Sequence, residues 1–190
     1  MNSAPMNAPL MLVIPPTIEA TRKSNDFVIW NDSGDTYAFT IANSPPPKPA
    51  NPALVVKAMA MAGALRNETK FDRRYRELGI VMVGLMTKSD YEFDHHWNAA
   101  LQAGVKHAQL ESLAQFETAP HFNDQERAVL RYAKEATETG VVSDSTWSKL
   151  RSHFDIQQTM EVVLTVAWYN CVVRILLPLQ IEHERGFKRN

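Results

Sequence analysis

With 190 residues, 45% hydrophobic and 22% charged, the chain is long enough for one domain whose core needs neither disulfides nor metal, and it is not of the disordered class. Twenty Lys and Arg nearly balance 21 Asp and Glu for a net charge of -1, so the attraction that drives non-specific nucleic-acid binding is missing. A single cysteine, Cys171, excludes an intrachain disulfide and fits a reducing compartment, so a cytoplasmic location is expected.

The first fifty residues read as irregular. Met11-Leu12-Val13-Ile14 is too short an apolar run for a signal peptide, and no Lys or Arg precedes it. Around the turn-rich Asn31-Asp32-Ser33-Gly34, residues 27–30 and 36–41 suit a hairpin, while 35–43 also suit a short helix; the helix reading is preferred. Ser44-Pro45-Pro46-Pro47-Lys48-Pro49 forbids helix and predicts an extended connector. The chain thus divides into an irregular segment with its Pro-rich connector, residues 1–50, and a helical domain, residues 51–190.

From residue 51 onward helix signals follow in a regular series. Asn51-Pro52 predicts a helix to Leu65, with Leu54, Val55, Ala58, Met59, Ala62 and Leu65 as its apolar stripe. Thr69 with Asp72 opens the next helix, through Glu77 to Met86. Ser89 with Glu92 reads as a capping box for a helix ending at Gly104, and a short helix is expected over 107–116. Asn123 with Glu126 caps a helix ending at Gly140, and Ser143 or Asp144 starts one to His153. Asp155 with Gln158 caps a long final helix, apolar nearly all round and therefore expected to be buried. Glu161, Asn170, Arg174 and Pro178 within that apolar stretch favour a core helix over a membrane span. The expectation is an all-α bundle of about six to eight helices.

Chemistry concentrates in Arg76-Glu77-Leu78 and in the stretch from Tyr91 to Gly104. Glu92 and His96, four apart, share a helix face, and a short turn (Thr87-Lys88-Ser89) lets antiparallel packing bring Glu77 to them. A carboxylate beside an imidazole orients the ring and tunes its pKa for proton transfer. Two plainer readings stand beside this one: Glu92 as a capping residue, and the pair as part of a solvated helix face. Asp94, His95 and His96 do not make a metal set, because neighbours on a helix point about 100° apart. No HExxH motif or second cluster completes one, and His107, His121, His153 and His183 read as surface or capping residues.

The order RxREL, then YExxxHxxxAxxxG, resembles the carboxymuconolactone decarboxylase family of the alkylhydroperoxidase D-like superfamily. The resemblance runs over roughly residues 43–180, with Ala42-Asn43-Ser44-Pro45 and Trp168-Tyr169-Asn170 to Arg174 as supporting matches. It implies an all-α homo-oligomer, whether dimer, trimer or hexamer, with its site in an apolar pocket between helices and a small molecule as partner. The superfamily's peroxidase branch carries a CxxC pair at positions that fall on Ser89 and Glu92 here, and its relay glutamate falls on Glu77. With both sulfurs absent and Cys171 remote, a dithiol peroxidase cycle is disfavoured. What remains resembles the decarboxylase branch, which works on an anionic lactone by proton transfer without metal or organic cofactor. The resemblance makes His96 the principal acid/base, with Glu92 and Glu77 as orienting or relaying carboxylates. Arg174 and Asn170, four apart, are expected to hold a substrate carboxylate or carbonyl. The alternative for Arg174 is a buried pair with an acid such as Glu161. Tyr169, as a pocket wall, and Ser89 complete the expected substrate-binding set. Phe93 departs from the family's tryptophan at that position.

Overall fold

The computed structural model describes the backbone of residues 26–30, 36–41 and 52–190 and the side chains of 57–190. Expectations for the turn at 31–34, the connector at 44–49 and the cap at Asn51 lie outside the described residues. Among the described residues, seven α-helices and three short strands follow in the order β1 (Asp26–Trp30), β2 (Thr36–Ile41), α1 (Pro52–Asn67), α2 (Arg73–Thr87), α3 (Asp90–Gln102), α4 (His107–Glu111), α5 (Asp124–Glu138), α6 (Asp144–His153), α7 (Ile156–Leu176) and β3 (Ile181–Glu182), with a 3-10 turn at Leu113–Gln115.

The helix preferred for 35–43 is corrected: Thr36–Ile41 is a strand, antiparallel to Asp26–Trp30. Its other edge pairs with the far end of the chain, Thr40 opposite Glu182 and Ile41 opposite Ile181. A two-stranded hairpin alone is marginally stable, so the third strand adds support.

Local chemistry explains most helix ends. Asn123 and Asp155 form capping boxes with Glu126 and Gln158, and the Ser143 hydroxyl accepts from the Thr146 amide. The start of α2 moves from Thr69 to Asp72, whose carboxylate accepts from the Arg74 amide, while Thr69 turns back to donate to the Leu65 carbonyl. The box foreseen at Ser89 and Glu92 does not form: the Ser89 side chain makes no capping bond to α3.

α2 is the hub, packed on α3, α5 and α7, and every residue from Arg76 to Gly84 is buried. Leu78, Ile80, Val81, Met82 and Val83 meet Val129, Leu130, Val162 and Val166 in one core, each large side chain contributing about 1.5–3 kcal/mol of transfer free energy. Full burial of α7 is also corrected. One face, including Val162, Val166 and Val173, enters the core, but Ile156, Met160, Leu164 and Ile175 remain exposed. By length and composition α7 is able to cross a membrane; in this fold 44% of its 18-residue apolar window is buried inside the protein.

Candidate functional site

The site grows from a close helix crossing. Lys88, in the left-handed conformation (φ 55°), caps α2, and the chain reverses at once into α3. A Cβ on Gly84 would sit 2.8 Å from the Phe93 nitrogen, so only glycine permits this approach. Glu77 lies seven residues before Gly84, about 10.5 Å along α2, and His96 three residues after Phe93, about 4.5 Å along α3. Their side chains span the remainder.

His96 lies between two carboxylates. Nδ1 is 2.7 Å from Glu77 Oε2 and Nε2 is 3.0 Å from Glu92 Oε1. All three residues are buried, with exposures of 7%, 2% and 4% for His96, Glu77 and Glu92. Behind them Arg76 stands 3.6 Å from Glu77 Oε1, and the more exposed Arg73 stands 3.9 Å from it. Arg76 also donates to the Leu65 and Arg66 carbonyls, tying the end of α1 to the site.

Burial alone would lower the pKa of His96, but the charge and hydrogen bond of Glu77, then those of Glu92, outweigh it and raise it to about 9. Burial likewise opposes ionisation of Glu77, yet His96, Arg76 and Arg73 hold its pKa below the ordinary carboxylate value. At neutral pH the centre therefore holds an imidazolium with both ring N–H groups given to carboxylates. The ring has no nitrogen left for a substrate. Glu92 meets His96 through Oε1, so its second oxygen is not the one held by the ring.

Glu92 and His96 line a cleft between α1, α3 and α7 with about 60 Å³ of space open to water. Its walls are mainly apolar: Met59 and Ala62 from α1, and Trp168, Tyr169, Val172 and Leu176 from α7. Tyr169 sets its ring edge-on to His96 with centroids 4.8 Å apart. Arg66, Tyr91 and His95 add polar groups. Glu77 stays behind His96, outside the lining.

The other expected ligand-holding residues fall elsewhere. Asn170 donates to Thr137 Oγ1 (2.9 Å) and to the Val166 carbonyl, joining α7 to α5. Arg174 is exposed and donates to the carbonyl and Oδ1 of Asn170. Neither reaches the cleft, because successive turns of α7 carry them round to its α5 side. Glu161 does not pair with Arg174 either; it accepts from the Phe71 amide (2.7 Å) and from Gln157. Ser89 is buried but borders a different cavity.

Sequence reasoning missed Arg66, Arg76 as a buried anchor, and the tail after β3. That tail folds over α3. His95 stacks on Tyr91 (4.1 Å) and Phe187 (4.2 Å) and meets Glu184 at 2.9 Å, while Tyr91 donates to the same Glu184. His183, expected at the surface, faces Asp94 at 3.1 Å in this half-buried layer. The clustering of aromatic and charged residues over 183–189 was the available signal.

Comparison with known proteins agrees with this architecture. Residues 52–135 match the carboxymuconolactone decarboxylase family model, a span that includes Glu77, Glu92 and His96. No curated protein matches the chain. Among solved structures, an Agrobacterium tumefaciens protein of unknown function, described as an antioxidant defence protein of the AhpD type, superposes with a TM-score of 0.65 at 19% identity. That match covers 70% of this chain and 92% of the other. A cysteine-to-alanine variant of the debrominase Bmp8, in complex with 2,3,4-tribromopyrrole, gives 0.64 at 16% identity over 70% and 72% of the two chains. A peroxidase-related protein from Silicibacter sp. TM1040 gives 0.63 at 21% over 70% and 71%. At these identities the likeness is one of fold: an all-α, alkylhydroperoxidase D-like bundle.

Proposed function

Since the chain is a carboxymuconolactone decarboxylase-family protein through its residues 52–135, we propose that it is a cofactor-independent acid/base enzyme, acting on a small carbonyl, lactone or carboxylate compound by a lyase- or isomerase-type proton transfer. The observation that carries this reading is the buried Glu77–His96–Glu92 array at the wall of an apolar cleft.

The roles differ from those drawn from the resemblance alone. Glu92, with one oxygen free of His96, is the group placed to take a proton from the carbon beside a substrate carbonyl. His96 acts through Glu92: its fixed positive charge faces the carboxylate, and the proton it holds stays within 3.0 Å of the Glu92 oxygen. Glu77 anchors the ring from behind. The proton taken by Glu92 returns to another substrate atom, so no redox partner is needed. The mainly apolar walls lower the local dielectric, which strengthens each of these interactions.

The narrowness of the cleft favours a second reading, a ligand-binding or assembly protein in which the same array only fixes packing. Kinetics separate the two. A panel of carboxylated lactones and keto acids, read by mass spectrometry, supplies the assay. Glu92→Gln and His96→Ala should each lower the rate by roughly 10²–10⁴-fold. The double variant should be little worse than the worse single one, as expected for groups that act as a unit. A fully active Glu92→Gln protein, or no turnover on any member of the panel, would remove the acid/base reading.

A further inference from the structure

A second cavity, of about 260 Å³, lies at the N-terminal end of α3, between the end of α7 and β3. Tyr91 and Leu176 line both this cavity and the cleft, so the two are neighbours across one shared wall. Ser89 borders it and is 1% exposed, yet its hydroxyl has no hydrogen-bond partner among the described residues. A ligand group able to hydrogen-bond there would satisfy that hydroxyl. The same residue is the N-cap of α3 and makes no side-chain bond to the first-turn amides. A thirteen-residue helix therefore presents its partly positive end to the cavity without a side-chain cap.

We propose that this cavity is a binding site for a small monocarboxylate, held by the Ser89 hydroxyl and the first-turn amides of α3. Lys88, exposed at the mouth, adds a positive charge, and His183 borders the same space. Two carboxylates, Asp90 and Glu182, also line the cavity, and both are exposed. Exposed charges are screened by solvent and salt, whereas the Ser89 hydroxyl is enclosed by protein, so attraction at the floor outweighs repulsion at the rim for a single negative charge. For a dianion the rim repulsion doubles while the floor offers the same few donors. The site should therefore prefer acetate-like ions to phosphate.

Amide resonances of Ser89, Asp90, Tyr91 and Glu92 in ¹⁵N-labelled protein report on the site directly. Sodium acetate and sodium phosphate are added in turn, with sodium chloride adjusted to hold ionic strength constant. Acetate should shift these amides saturably and phosphate should do so only at higher concentration. Ser89→Ala should weaken acetate binding about tenfold, the equivalent of one charge-assisted hydrogen bond. Lys88→Gln, a surface change, should weaken it a few-fold and serves if Ser89→Ala does not fold. Shifts that never saturate, shifts unchanged in both variants, or phosphate binding as tightly as acetate would each overturn the proposal. Binding is read without turnover, so this site and the acid/base reading fail or stand separately.

Discussion

Changing Glu77 to glutamine tests the electrostatics of the centre. In the native chain His96 holds its proton up to about pH 9, against 6.5 for an ordinary imidazole. Between those values the folded chain binds more protons than the unfolded one, so stability falls as pH rises. The contribution is complete below pH 6.5 and is gone above about 9. At 1.36 kcal/mol per pH unit the interval amounts to roughly 3 kcal/mol. This is the pH-dependent part only; against an apolar triad of equal volume, the cost of desolvating the charges offsets most of it. Glu77→Gln keeps an acceptor for Nδ1 but removes the charge that does most to offset burial. The pKa of His96 should then fall by more than one pH unit, and most of the slope should vanish. Urea unfolding of both proteins from pH 6 to 10, with the His96 ring followed by NMR, gives the two quantities independently. Equal slopes in the two proteins, or a wild-type ring titrating near 6.5, would refute the reasoning.

Two further predictions concern the frame and the surface. Gly84→Ala should destabilise the fold by about 1–3 kcal/mol in thermal melts, because its Cβ meets Phe93 backbone rather than a yielding side chain, and it should disturb the Glu77–His96 contact. A variant as stable as the wild type would show that the crossing has slack. The outer face of α7 exposes Ile156, Met160, Leu164 and Ile175 along one stripe, and we expect a second copy of the chain to cover it. Sedimentation at micromolar concentration should give more than one chain mass, and Leu164→Glu should reduce it; a wild-type monomer would rule this out.

The sequence made legible what local chemistry decides. Asn123 with Glu126 and Asp155 with Gln158 mark helix starts because each cap is completed within four residues. The four-residue spacing of Glu92 and His96 likewise places both on one face of α3. Features that depend on distant partners were not legible. The strand at Thr36–Ile41 pairs locally with Asp26–Trp30, a hairpin the sequence allowed beside the helix reading, but the second partner that favours the strand, Ile181–Glu182, lies about 140 residues away and leaves no local mark. α7 is apolar all round, which fits burial on every side, yet the other helices cover only part of it. Arg174 and Asn170 share a helix face, but spacing does not say which neighbour that face meets; it meets α5.

Ser89 and Glu92 connect these observations. They are the two positions at which the family resemblance places the peroxidase branch's cysteines, and a dithiol must close on itself to cycle. Here the two side chains serve separate spaces: Glu92 lines the cleft and contacts His96, and Ser89 borders the second cavity with its hydroxyl unpaired. A side chain that contacts His96 is a better proton carrier as a carboxylate than as an alcohol, and a neutral hydroxyl at the uncapped helix end leaves that end's partial positive charge to a bound anion. Each residue thus suits the space it borders. On this reading the two positions belong to two adjoining polar sites, the first proposed to move a proton and the second proposed to hold an anion.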